Sequence, residues 1–429
     1  MTRSEINIVL LGLGVVGSGV VRALQDKAEG YAERAGLPLV IRRVLVRDTS
    51  KARSVSLDES LLTSNADEAL ATEADIVVEL MGGESPALDY IEQSLRSGCH
   101  IVTGNKEVVS KHWRGLHKLA QDAGVEIHYE ASVGGGIPIV SPLKRDLVAN
   151  EVTSIRAIIN GTTNYILTRM AADGVDFRDA LQQAKDLGYA EPDPTNDIEG
   201  HDAVYKLSIL ASLAFRTFIS PDDIYREGIT QLHARDFRYA ADLGYIIKLL
   251  AVARKGQDGV RARVHPALLA ADELLARVDG VLNAVQVEGD LVGKVLFQGQ
   301  GAGAEATASA VIADILEAAR SIKNGERPAA QSVARGIAAE PISELVSRYY
   351  VRIEVMDRPG VLAVIARSLG DHDVSIASVI QKETDEEGQT AELVIMTHGA
   401  RESSMQSSIK QIGALEEVRE IGSVIRVED

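Results

Sequence analysis

At 429 residues the chain is too long for one compact core, and two to four domains are expected. Its 45% apolar and 25% charged residues exclude a mainly disordered, collagen-like or disulfide-built protein. A net charge of −17, with 45 Lys and Arg against 62 Asp and Glu, disfavours nucleic acid or an anionic membrane as partner.

The N-terminal stretch superficially resembles a signal peptide, but Glu5 interrupts its basic start. No apolar run reaches the ~20 residues of a membrane span, so a cytoplasmic location is expected. Residues 6–11 (INIVLL) read as a buried strand that stops at Gly12. A helical pattern then runs to about Ala35. Further strands are expected at Leu39–Val46, Asp75–Leu80, His100–Thr103 and Glu126–Glu130, alternating with helices. That rhythm specifies a doubly wound parallel sheet over residues 1–135.

After Gly134-Gly135-Gly136 the texture becomes α+β over residues 136–302. Strands are expected at 151–159, 260–264, 281–288 and 293–299, and helices at 163–173, 176–187, 200–214 and 237–254. A helix at 303–320 completes the first domain, and 321–347 is a linker. Residues 348–429 follow a strand–helix–strand–strand–helix–strand order, a ferredoxin-like unit.

Gly12-Leu13-Gly14-Val15-Val16-Gly17 lies between a strand and a helix, the context that makes G-x-G-x-x-G a dinucleotide turn. Gly12 permits the turn, Gly14 admits a pyrophosphate, and Gly17 allows close helix–strand packing. The helix start offers free N–H groups to phosphate. Arg47, followed by Asp48, ends the second strand, and an arginine there suits the 2′-phosphate of NADP over NAD. Cys99, the single cysteine, would be the nucleophile of an acylating aldehyde dehydrogenase. Its setting, SGCHIV, has no activating motif, so a buried structural thiol is expected. Lys106 follows the strand at 100–103 and is placed to reach nicotinamide or substrate.

Residues 184–206, AKDLGYAEPDPTNDIEGHDAVYK, crowd Glu191, Asp193, Asp197 and Glu199 into a Gly/Pro-rich loop. A helix follows, carrying Asp202 and Lys206 at i and i+4 on one face. That face borders Ile209, Leu210 and Leu213, and the polar arc is expected at His201, Tyr205, Ser208 and Ser212. A lysine so placed suits proton exchange with an oxygen, and the acidic loop suits a substrate ammonium group. A snorkelling ion pair is the plainer alternative. Asn160 reads as a helix cap.

The stretch 184–206 resembles homoserine dehydrogenases. The family pattern A-x-x-x-G-[FY]-A-[DE]-x-x-P-x-x-D-[LIV]-x-G-x-D-x-x-x-K is met at Ala184, Gly188, Tyr189, Ala190, Glu191, Pro194, Asp197, Ile198, Gly200, Asp202 and Lys206. GLGVVG, TGNKE, EASVGGGIP and NGTTNYIL fit as well. The resemblance implies NAD(P)-dependent interconversion of L-aspartate 4-semialdehyde and L-homoserine in a homodimer or homotetramer. It implies Lys206 as general acid/base, with Lys106 as the second lysine. Glu191, Asp197 and Asp202 surround the substrate. Leu13, Val15, Val16, Gly188 and Gly303 touch the cofactor. Glu130, Val133, Gly135 and Ile137 hold a monovalent cation such as Na+, three of them through backbone carbonyls. Residues 349–429 resemble an ACT domain through Asp357-Arg358-Pro359-Gly360-Val361-Leu362. That implies a small amino-acid effector, L-threonine foremost, bound at Asp357, Pro359, Gly360, Ser375 and Ile376. A purely oligomerising tail and a non-catalytic amino-acid sensor are the competing readings.

Overall fold

Six residues, Ile6–Leu11, form the buried strand β1 of a parallel sheet. The computed structural model describes residues 3–256, 259–326, 338–385 and 388–428. After β1 come α1 (Val15–Asp26), α2 (Ala28–Ala35), β2 (Leu39–Leu45), β3 (Leu62–Thr63) and α3 (Ala66–Ala71). Next are β4 (Ile76–Glu79), α4 (Ala87–Arg96), β5 (His100–Thr103), α5 (Lys106–Ala123) and β6 (Ile127–His128). The middle of the chain adds α6 (Val140–Lys144), β7 (Val152–Ile158), α7 (Gly161–Asp173), α8 (Phe177–Asp186), α9 (Thr195–Ile198) and α10 (His201–Ala214). β8 (Tyr225–Arg226), α11 (Ala234–Asp242), β9 (Tyr245–Lys255), β10 (Gly259–Ala270), β11 (Leu282–Gly289) and β12 (Gly293–Gln300) follow. The last elements are α12 (Ala304–Asn324), β13 (Ala338–Ala339), β14 (Val346–Met356), α13 (Val361–Gly370), β15 (Ile376–Asp385), β16 (Thr390–Thr397), β17 (Ala400–Arg401), α14 (Glu402–Ile412) and β18 (Val418–Glu428).

The chain divides into two compact units. The first takes in Met1–Ile155, Tyr205–Asp223 and Asn283–Ile337. Its sheet has the order β3-β2-β1-β4-β5-β6, all parallel. This is the doubly wound order, with the strand sequence reversing between β1 and β4. Ile6, Ile8 and Leu10 on β1 are buried in one core with Val311, Ile315 and Ala319 of α12. Each such Ile or Leu contributes about 2 kcal/mol by leaving water. α12 packs closely on α1, where a Cβ on Gly19 would lie 3.0 Å from the Ala304 carbonyl oxygen. The helix runs past Ala319 to Asn324, into the expected linker. The helix expected to reach Ala35 is instead two, broken at Lys27 (φ −123°).

The second unit takes in Arg156–Val204, Ile224–Leu282 and Ala338–Asp429. It overturns one expectation outright. The helix expected at 237–254 is a shorter one, α11, followed by the eleven-residue strand β9. Gly244, at φ +82°, turns the chain between them. The run YIIKLLAVAR is apolar on every side but for Lys248 and the terminal Arg254, so periodicity cannot tell a strand from a helix. Antiparallel pairing with β10 decides it, from Tyr245↔Ala270 to Lys255↔Val260. β10 then pairs in parallel with β18, and the sheet continues through β14 and β16 to β15. β14-α13-β15-β16-α14-β18 is the expected ferredoxin-like unit, with Tyr349, Ile353, Ile365 and Met405 in its core.

Candidate active site

In the first unit the turn between β1 and α1 sorts the glycines by need. Gly12 sits at φ +101°, and a Cβ there would meet the Leu80 carbonyl oxygen at 2.8 Å. A Cβ on Gly17 would collide with the carbonyl of Gly12. A Cβ on Gly14 would meet no atom within 4 Å, so here the glycine clears space outside the protein backbone. Gly14 caps α1 without a side-chain hydrogen bond, and no acidic residue occupies the first turn. The first amides of α1 are thereby left to an anionic ligand. Leu13 and Val16 are partly buried, whereas Val15 is exposed. These features fit a dinucleotide.

Beyond β2, Arg47 is exposed and makes no ion pair among the described residues. Asp48 accepts from Ser50 N at 2.9 Å and Ser50 Oγ at 2.7 Å, and these bonds hold its carboxyl below the usual range. Arg53 is folded onto its own loop, donating to the Lys51 carbonyl at 2.7 Å. Gly303, at φ +125°, caps α12 in open space.

Lys106 is the first residue of α5, at the carboxyl end of β5. Asn105 caps this helix, its Oδ1 accepting from Val108 N at 3.2 Å. Cys99 precedes β5 at the opposite, amino end. Its buried thiol donates to the Ala74 carbonyl at 3.3 Å, and burial together with the Asp75 charge pushes its pKa up. That setting suits a structural thiol and not a nucleophile. Two residues with no site role expected from the sequence stand out. One is Glu79, which ends β4 fully buried and accepts from Thr103 Oγ1 at 2.6 Å. The other is Asn160, in the second unit.

The loop at 130–137 has a structural task of its own. The Glu130 carboxylate is committed to backbone amides, accepting from Ile139 N (2.6 Å), Val140 N (2.8 Å) and Ser141 N (2.7 Å). It caps α6 through these three bonds. Val133, Gly135 and Ile137 are buried beside it. A Cβ on Gly135 would strike Gly301, and one on Gly301 would strike the Asn283 amide. Asn283 is 1% exposed, and neither polar atom of its amide is hydrogen-bonded. Of these two atoms the amide oxygen, an unused acceptor, is the one that fits a small hard cation.

Lys206 lies on α10, four residues after Asp202 and partly buried. Of the expected polar arc of this helix, His201 and Tyr205 are partly exposed and the two serines are buried. Ser208 is fully buried and donates to the Ile219 carbonyl at 2.6 Å, and Ser212 Oγ accepts from Ile219 N at 3.0 Å. The two hydroxyls satisfy the backbone of the following turn, which a one-helix view could not anticipate.

In the second unit the acidic loop is divided among separate tasks. Asp193 Oδ1 accepts from Thr195 N and Oγ1, starting α9. Glu199 faces Arg226 at 3.9 Å. Glu191 is exposed and makes no ion pair among the described residues. Asp197 and Asp202 are drawn together by Asn160, whose Nδ2 donates to Asp197 Oδ1 at 2.7 Å and to Asp202 Oδ2 at 2.9 Å. Asn160 Oδ1 meanwhile accepts from Thr163 N at 2.8 Å, so the expected cap is real and is half of its work. Gly188, at φ +74°, ends the turn after α8. Two adjacent carboxylates, one of them (Asp202) 6% exposed, are an acceptor set for an ammonium group.

In the C-terminal unit Gly360, at φ +96°, caps α13 without a side-chain bond. Asp357, Pro359 and Gly360 are exposed around that helix start. Ser375 precedes β15, its carbonyl accepting from His398 N at 2.8 Å, and Ile376 opens the strand.

A family model described as homoserine dehydrogenase matches residues 138–316, and one described as homoserine dehydrogenase, NAD binding domain, matches residues 12–130. The homoserine dehydrogenase of Neisseria gonorrhoeae is 42% identical over 431 residues, covering 99% of this chain and 98% of that one. This chain belongs to the homoserine dehydrogenase family. A solved homoserine dehydrogenase from Thiobacillus denitrificans matches with a TM-score of 0.92 at 41% identity, over 99% of this chain and 98% of that one. A hyperthermophilic archaeal homoserine dehydrogenase in complex with NADPH matches over 73% of this chain and 97% of its own, with a TM-score of 0.63 and 27% identity. Residues 349–417 match the ACT domain model. The resemblance drawn from the 184–206 motif and from the C-terminal loop is thus borne out, and with it the fold class. The family is one of oxidoreductases with a nicotinamide coenzyme, and its ACT domain suggests a small-molecule effector. No helix among the described residues is long and apolar enough to cross a membrane.

Proposed function

We propose that this chain reversibly reduces L-aspartate 4-semialdehyde to L-homoserine with NADP, in threonine, methionine and isoleucine biosynthesis. Support comes above all from the Asp197–Asn160–Asp202 cluster, because it joins the motif's carboxylates next to the helix that carries Lys206. Asp197 and Asp202, with Glu191, receive the substrate's ammonium group. Lys206 gives a proton to the carbonyl oxygen as aldehyde becomes alcohol, and takes it back in the reverse direction. The chemistry a bound nicotinamide coenzyme supplies is hydride exchange. Lys106 acts beside the nicotinamide, and Gly188 and Gly303 join the turn at 12–17 in binding the coenzyme.

The preference for NADP rests on Arg47 and Asp48. The first is exposed and unpaired among the described residues; one oxygen of the second is taken up by Ser50. NAD is the alternative coenzyme. A monovalent cation such as Na+ would be held by Glu130, Val133, Gly135 and Ile137, three of them through backbone carbonyls. L-Threonine is the effector, bound at Asp357, Pro359, Gly360, Ser375 and Ile376, and the assembly is a homodimer or homotetramer.

Steady-state kinetics with homoserine, both coenzymes, and threonine present or absent test this reading. Lys206→Ala should bind coenzyme normally and lose nearly all turnover. Wild-type turnover in that variant would refute the role given to Lys206. Inhibition by a different amino acid would overturn only the effector assignment.

A further inference from the structure

β4 ends in a carboxyl group that the proposed chemistry does not use. Glu79 has no exposed surface, and it is paired in register with Thr103 at the end of β5. Burial pushes its pKa up, against hydrogen bonds from Thr103 and from the amides of Met81 and Gly82. A buried carboxyl is a costly way to close a turn that a serine or asparagine could close. Its partners show what it does. Thr103 Oγ1 donates to Oε2 at 2.6 Å and Met81 N donates to Oε1 at 2.7 Å. Thr103 Oγ1 in turn accepts from Asn105 N at 3.0 Å. Asn105 Nδ2 donates to the Gly83 carbonyl at 2.7 Å, and its Oδ1 caps α5. The loops after β4 and after β5 are therefore one hydrogen-bonded body, and Lys106 is the first residue it delivers. This body lies at the carboxyl ends of β4 and β5, next to the β1/β4 reversal where ligands of such sheets bind.

We propose that Glu79 is a positioning residue: acting through Thr103 and Asn105, it fixes the start of α5 so that Lys106 is held in its working place. It touches neither coenzyme nor substrate. The inference rests on the reading of Lys106 as an active-site lysine.

A double-mutant cycle of Glu79→Gln and Lys106→Met tests both and separates them. Glu79→Gln keeps the shape and exchanges one acceptor for a donor. It should lower kcat by up to about 100-fold, the cost of a misplaced group, with little change in KM for homoserine. The double variant should be no slower than Lys106→Met alone. Losses that multiply, with a parallel fall in Tm, mean a structural role and overturn the proposal. Wild-type kcat in Glu79→Gln overturns it while a slow Lys106→Met leaves the lysine's role standing. Wild-type kcat in Lys106→Met sinks the lysine reading and the positioning role with it. Should Glu79→Gln fail to fold, Thr103→Val, which removes the hydroxyl relay, must show the same non-additivity, and Thr103→Ser must restore kcat.

Discussion

Arg352 on β14 holds Asp236 on α11 through Nε at 2.7 Å, and neither side chain is more than 6% exposed. Arg352 also donates to Glu392 at 3.0 Å, and Tyr350 Oη donates to the same aspartate at 3.2 Å. The ACT domain is therefore fastened to α11 by paired ions and to β10 by the β10–β18 ladder. Removing one buried partner leaves the other charge stranded. Arg352→Met should lower unfolding stability by about 3–5 kcal/mol. Denaturant unfolding at neutral pH measures it, and a loss below 1 kcal/mol would show the network to be slack.

Acid should loosen the same region. Burial pushes Glu392 and Glu402 up, but hydrogen bonds from Tyr239, Arg352 and Arg235 to the first, and from Arg426 to the second, bring both below the ordinary glutamate value of 4.5. A depressed carboxyl binds fewer protons folded than unfolded. Its stabilisation is complete above that ordinary value and is lost as pH falls through the lower folded one. Tm should fall steeply on acidification below about pH 4.5, and Glu392→Gln, less stable at pH 7, should show a shallower acid limb.

Asn160 has two separable tasks. Asn160→Asp keeps an oxygen to cap α7 but sets a third carboxylate against Asp197 and Asp202. It should raise KM for homoserine about tenfold or more while leaving Tm within a few degrees. Asn160→Ala loses the cap as well, with about 1 kcal/mol of stability. Equal KM values for Asn160→Asp and wild type would sever the cluster from substrate binding.

The two glycines of the first turn should fail differently. Gly17→Ala collides with the Gly12 carbonyl and should cost about 1–3 kcal/mol of stability. Gly14→Ala meets nothing in the protein, so its Tm should hold while the dissociation constant for NADP rises about tenfold. Thermal unfolding and coenzyme titration on both variants check this, and a destabilised Gly14→Ala would contradict it.

Cys99→Ser should retain full activity, because the thiol is buried and bonded to the Ala74 carbonyl. An assay with homoserine decides it; lost turnover in a folded variant would reopen a thiol mechanism.

Local sequence determined most of what is periodic or glycine-dependent here. The strand at 6–11, the β1–α1 turn, the α12 start and the βαββαβ order of the C-terminal unit follow from apolar runs and turn residues acting over a few positions. The motif around Lys206 was legible because its residue types and spacing are fixed by chemistry. Tertiary structure decided what depends on a distant partner. Residues 245–255 became a strand only by pairing with β10, since a mostly apolar run with one internal lysine carries no clear period of its own. The serines of α10 were buried by a turn downstream, and the Glu130 carboxylate went to the amides of α6. Asn160 gathers two aspartates from about 40 residues away, and Glu79 reaches Thr103 on a neighbouring strand. A hydrogen bond between residues far apart in the chain leaves no mark on either one's local sequence, so only the folded sheet could show which polar groups share a site.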